Sequence, residues 1–78
     1  MQTDFEYIKF KQLQTPPGRK TGIWSCLNIH HGNCIGEVYW HGQWRQYCFF
    51  PAPQTVFSAG CLADIQTFIK ELMRARHR

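Results

Sequence analysis

The segment "YWHGQWRQYCFFP", residues 39–51, packs two tryptophans, two tyrosines, two phenylalanines and an arginine into one short stretch. His41 and Gly42 separate Trp40 from Gln43 by the length of a two-residue hairpin loop, with the glycine able to supply a positive φ. That spacing predicts antiparallel strands over 34–40 and 43–50, the second stopped by Pro51 and Pro53, which lack amide donors.

Further strands lie upstream. "IWSCLNI" (23–29) is rich in β-branched and aromatic residues, and "HHGN" joins it to the strand at 34 as a turn. "FEYIKFKQL" (5–13) alternates apolar and polar positions, with Ile8 and Phe10 set among Glu6, Lys9 and Lys11. Between them "TPPGRKTG" (15–22) is a solvated basic loop. Downstream, Ser58 is a good N-cap, and Leu62, Ile65, Phe68, Ile69 and Leu72 recur at helical spacing, predicting a helix over 59–75. Lys70, Arg74, Arg76 and Arg78 gather at its C-terminal end, where the helix dipole favours cations. The expected fold is therefore α+β: one domain over 1–78, a three- to four-stranded antiparallel meander sheet with one C-terminal amphipathic helix packed on one face.

Strand alternation sorts the rings. A two-residue "HG" turn pairs Tyr39 with Trp44, Val38 with Arg45 and Gly36 with Tyr47, and a symmetric "HHGN" turn pairs Leu27 with Gly36. One face then carries Ile23, Leu27, Ile29, Cys34, Val38, Trp40, Arg45, Tyr47 and Phe49. This more aliphatic set is assigned to the core, with Gly36 opening a hollow for the helix and the Arg45 stem lying on Trp40. The other face carries Trp24, Cys26, Asn28, Ile35, Glu37, Tyr39, Trp44, Gln46, Cys48 and Phe50, and exposes Trp24, Tyr39 and Trp44 among Glu37, Gln46 and Asn28, rings and polar groups suited to stacking on a base and reading its edge. A single β-bulge at Gly36 would exchange the faces beyond it. The alternative for these rings is burial beneath the N-terminal strand or the Pro51–Val56 segment.

Nine Lys and Arg against five Asp and Glu give a net charge of +4, a mild lean towards anionic partners. Arg19 and Lys20, with Thr21 and free amides, form a loop chemically suited to phosphate oxygens, although no Walker spacing is present. Cys26, Cys34, Cys48 and Cys61 have no C-x-x-C pair, so buried structural thiols are favoured over a metal site or disulfides. No apolar run reaches the ~20 residues of a membrane span, and the N-terminus lacks a signal-peptide stretch; a cytoplasmic protein is expected. Cys61 at a helix start has no histidine placed beside it by spacing, and no two carboxylates are forced together. The expectation is a binding protein, not an enzyme, without cofactor or metal.

The segments "GRKTGIWSCLN" (18–28), "IGEVYWHGQWRQYCFFP" (35–51) and "TVFSAGCLADIQTFI" (55–69), and the W-R-x-Y-x-F-x-P pattern within them, resemble a widespread family of small single-domain proteins of bacteria, phages and mobile elements. The resemblance implies a stand-alone module and brings no catalytic residues. The strand order followed by a helix is also similar in topology to AP2-type and phage-integrase arm-binding domains, which read DNA with a three-stranded sheet. Together these features lead to a non-enzymatic module for nucleic acid or a nucleotide. Its ligand-binding set is Trp24, Tyr39, Trp44, Gln46, Glu37, Arg19, Lys20 and Arg45. The alternatives are a phage or mobile-element module acting on a host protein, and a homodimerising accessory protein.

Overall fold

A computed structural model of the chain describes residues 1–76. Four strands precede one helix: β1 (Ile8–Leu13), β2 (Ile23–Asn28), β3 (Cys34–His41), β4 (Gln46–Pro51) and α1 (Ala59–Arg76). The strands form an open antiparallel sheet in the order β1-β2-β3-β4, and α1 packs across one face, the expected α+β architecture. Helix α1 begins where the sequence says it should. Ser58 Oγ accepts the Cys61 amide at 3.2 Å and the Ser58 carbonyl accepts the Leu62 amide at 3.0 Å. Arg74 and Arg76 close its last turn; Arg78, predicted to join them, lies outside the described residues.

Strand β1 starts three residues later than the alternation suggests. Phe5 donates its amide to the Ile8 carbonyl in a turn, and the chain before it folds back along β1. The Phe10 amide reaches the Thr3 carbonyl at 2.8 Å, and Asp4 bridges Lys9. The outer edge of β1 is thereby partly closed.

Both hairpin turns differ from the expected ones, with opposite consequences. Between β3 and β4 the turn is Gly42–Arg45, four residues and not two. The Arg45 amide donates to the His41 carbonyl at 2.8 Å, and Arg45 itself takes a left-handed φ of 55°. Val38 consequently opposes Phe49, Trp40 opposes Tyr47 and Tyr39 opposes Cys48. The displacement is an even number of residues, so every ring of this hairpin keeps the face that alternation predicts. Between β2 and β3 the loop spans 29–33, and Leu27 pairs with Cys34 while Cys26 pairs with Gly36. Ile35 is the extra residue of a β-bulge, one position before the glycine where a bulge would exchange faces. Beyond it Trp24 pairs with Val38, an odd displacement that moves Trp24 and Cys26 to the helix side and Ile23 and Leu27 to the opposite side. The predicted face sets therefore hold for β3 from Gly36 onward and for β4. They are reversed for β2 and at the start of β3, where Ile35, expected on the open face, is in the core and Cys34, expected in the core, is exposed.

Beneath α1 the core gathers Ile8, Phe10, Cys26, Ile35, Val38 and Tyr47 against Ile65, Phe68 and Leu72. Phe68 is its pivot. Its ring stacks on Phe10 with centroids 3.9 Å apart and meets the edge of Trp24 at 5.2 Å. Rings of this size each remove roughly 150–250 Å² from water, which is how a chain this short closes a core. Two expectations are corrected here. The hollow at Gly36 holds the Phe49 ring and not the helix: a Cβ at Gly36 would collide with that ring. The cation over Trp40 is Arg76, its guanidinium 4.2 Å from the ring centroid, whereas Arg45 stands exposed in the longer turn. Leu62, assigned to the buried stripe, is 52% exposed, and Ile69 is half-buried.

Candidate ligand-binding face

The sheet surface away from α1 follows from the strand pairing, since opposed residues share a side. One row across it reads Lys11, Ser25, Glu37 and Phe50; flanking rows hold Lys9 with Leu27, Tyr39 with Cys48, and His41 with Gln46. Three of the predicted ligand residues, Glu37, Tyr39 and Gln46, therefore stand on this surface, and Trp44 and Arg45 stand in the turn at its end. Trp24 does not. It is half-buried on the helix side against Phe68, and its indole Nε1 has no hydrogen-bond partner among the described residues. The bulge at Ile35 is the cause.

The rings on the open side form a column. Trp44 lies 4.7 Å from His41 at an interplanar angle of 27°, His41 lies 6.1 Å from Phe50 at 8°, and Phe50 stacks on Tyr39 at 3.8 Å and 5°. The members of this column cover much of one another, so the ring best placed to accept another aromatic surface is the terminal Trp44, which is 66% exposed. Its backbone is fixed by the donation of the Trp44 amide to His41 Nδ1 at 3.3 Å. His41 and Phe50 are members that residue-by-residue selection missed. Alternation from Tyr39 points to His41, which a two-residue turn would have removed from the strand. Lys9 and Lys11 were also overlooked, although the burial of Ile8 and Phe10 forces both lysines to the other side of β1.

Charge collects at the same end as Trp44. In an antiparallel sheet of this order the β1–β2 loop and the β3–β4 turn project from one end, bringing Arg19 and Lys20 to the side of the molecule that carries Arg45. The loop is shaped by Gly18 at a φ of 90° and by the Arg19 Nε donating to the Thr21 carbonyl at 3.0 Å. Arg19, Lys20 and Arg45 are all exposed. The loop enters the open face through Ile23 and not, as expected, through Trp24.

All four cysteines are free thiols. Cys26 is fully buried in the core, and burial, with the neighbouring thiols Cys34 and Cys61 adding to it, pushes its pKa up to about 12. Cys34 is exposed and not a core residue; it accepts from Ser25 Oγ and reaches the Gly36 carbonyl, each at 3.3 Å. Among the described residues no three histidine, cysteine or acidic side chains gather as a metal site, and no helix is long and apolar enough to cross a membrane.

Comparison with known proteins gives a phage relative. The chain is 32% identical over 71 residues to an "Uncharacterized 9.3 kDa protein" of Acholeplasma phage L2, a match that covers 91% of this chain and 90% of that protein. The chain belongs to that protein's family. So long a match takes in the whole sheet and most of α1, so the two proteins share the region that bears the ring column. No protein-family model matches the chain, and no solved structure matches it significantly.

Proposed function

We propose that the chain is a non-enzymatic module that binds nucleic acid or a nucleotide, with an aromatic base stacking on the outer face of Trp44 and phosphate oxygens meeting Arg45, Arg19 and Lys20. The observation that carries this reading is the stacked column Tyr39–Phe50–His41–Trp44, open at its Trp44 end and beside the cationic end of the sheet. A base is an extended π-surface, and stacking on an aromatic side chain is worth about 1–3 kcal/mol per base. Glu37 and Gln46, on the same surface, supply an acceptor and an amide for base edges. Lys9 and Lys11 extend the cationic character to the far side of the sheet, a length suited to more than one nucleotide.

Tryptophan fluorescence tests the proposal. Addition of an unstructured single-stranded oligonucleotide is expected to quench emission, and Trp44→Ala is expected to abolish the quench. Raising salt from 50 to 200 mM separates a polymer from a small nucleotide, because only the polymer releases many counterions. Absence of quenching by oligonucleotides and by mononucleotides alike would falsify the reading.

A second reading, a phage-type module acting on a host protein, draws on the phage relative and on the exposed Trp44–Arg45 pair, residue types enriched at interface hot spots. Stoichiometric, nuclease-insensitive capture of one defined protein through Trp44 would favour it.

A further inference from the structure

We infer that two copies of the chain join edge to edge through β4, extending the sheet across a two-fold axis and bringing the two α1 helices side by side. The two edges of the sheet are unequal. Residues 3–4 fold over β1, whereas among the described residues no backbone hydrogen bond from another segment reaches the outer edge of β4. The Tyr47 amide on that edge is met only by Met73 Sδ at 3.4 Å, a weak acceptor on a flexible side chain. Strand alternation sends the Phe49 amide and carbonyl in the same outward direction. Free edges are ordinarily blunted by charge, bulges, proline or a covering helix; here α1 touches the edge at Tyr47 through Met73 and leaves the Phe49 position open. β4 carries no charge and no bulge, and its one proline, Pro51, stands at its last position.

Beside this edge runs an apolar groove of about 800 Å³ between α1 and Gln46, lined by Leu62, Ile65, Ile69 and Met73 with Lys70 at its rim. Leu62 is the member of the predicted core stripe that the fold leaves 52% exposed. Edge and groove together make a surface with two unused valences, one of hydrogen bonds and one of apolar contact.

A second copy is the occupant that satisfies both. An antiparallel pairing of β4 with itself opposes only uncharged residues and is two-fold symmetric by construction. The same axis sets the two α1 helices antiparallel, so the apolar row Leu62, Ile69 and Met73 of one copy faces the same row of the other in reverse order. Area is consistent with this: the chain exposes 5641 Å², against roughly 4,900 Å² for a monomer of its mass. The excess is of the order of the ~800 Å² that each partner buries in a standard interface. In the dimer the two open faces become continuous, and the ring columns on β3 and β4 lie on either side of the axis. The inference is independent of what the rings bind.

Sedimentation equilibrium on the full chain, over a series reaching hundreds of micromolar, tests this. The expected mass is twice 9.2 kDa. Higher salt is expected to tighten the dimer, because two copies of charge +4 repel, a sign opposite to that for a nucleic acid ligand. Leu62→Glu, at an exposed site, is expected to raise the dissociation constant at least about tenfold while leaving the melting temperature of the dilute monomer unchanged. Hydrogen exchange supplies the second readout: the Tyr47 and Phe49 amides should gain protection as concentration rises, and Trp44→Ala should leave the mass alone. A monomer at every concentration overturns the inference. So does a dimer indifferent to Leu62→Glu whose Tyr47 and Phe49 amides exchange freely.

Discussion

Two tryptophans that alternation treats alike end in different roles. Trp24 packs its edge against Phe68, so Trp24→Ala is expected to cost about 3–5 kcal/mol in urea denaturation. Trp44→Ala, at a site 66% exposed, is expected to change stability by less than about 0.5 kcal/mol while removing ligand binding. The difference was not legible in the sequence, because the side of Trp24 hangs on one bulged residue, Ile35: the neighbouring Gly36 marks where a bulge can form but not that one does. Gly36 gives a cleaner case: Gly36→Ala drives a methyl into the Phe49 ring and is expected to cost about 1–3 kcal/mol. Cys26 adds a pH signature. Its thiol, raised from the usual 9.0 to about 12, holds its proton in the folded state where the unfolded chain would lose it. The folded state therefore binds more protons between those values; its stability from this group is complete below pH 9 and declines above it. A melting temperature that falls from pH 9 upward, and a thiol reagent that modifies exposed Cys34 well before Cys26, are the expected outcomes.

At the scale of elements, the strands and the helix were legible and the turns were not. Period-two and helical patterns persist over several residues, so each element announces itself repeatedly. A turn is set by one or two φ angles, and "HG" satisfies the chemistry of a two-residue loop that the chain does not use. What decides the longer turn is Arg45 accepting a φ of 55°, a conformation that costs an L-residue roughly 1–2 kcal/mol. Arg45→Gly is accordingly expected to stabilise the fold by up to that amount. It should also lower the slope of log K against log salt by about 0.7 on a single strand if Arg45 meets one phosphate. A destabilised variant would contradict the strain assigned to the turn, and an unchanged slope would remove Arg45 from the ligand surface. The helix N-terminus was read from Ser58 alone, and the Cys61 amide on its hydroxyl makes Ser58→Ala worth about 1 kcal/mol in thermal or chemical melts.

Across the whole molecule, topology supplies what no local pattern contains. Arg19 and Arg45 are far apart in sequence, and only the meander order brings their loops to one end of the sheet. The same order leaves β3 and β4 to carry the stacked rings and leaves β4 as an edge. The open face was partly legible, since Glu37, Tyr39, Gln46 and Trp44 were sorted correctly. The even displacement of the β3–β4 hairpin could not disturb them. Sheet, rings and cations together make Trp44 the contact residue and keep Trp24 and Trp40 on the helix side. The three indole N–H resonances of the isotope-labelled protein put that to the test when a short single-stranded oligonucleotide is titrated in. The Trp44 signal is expected to move with ligand while the Trp24 and Trp40 signals stay in place. Movement of the Trp24 or Trp40 signal with Trp44 unmoved would contradict the account.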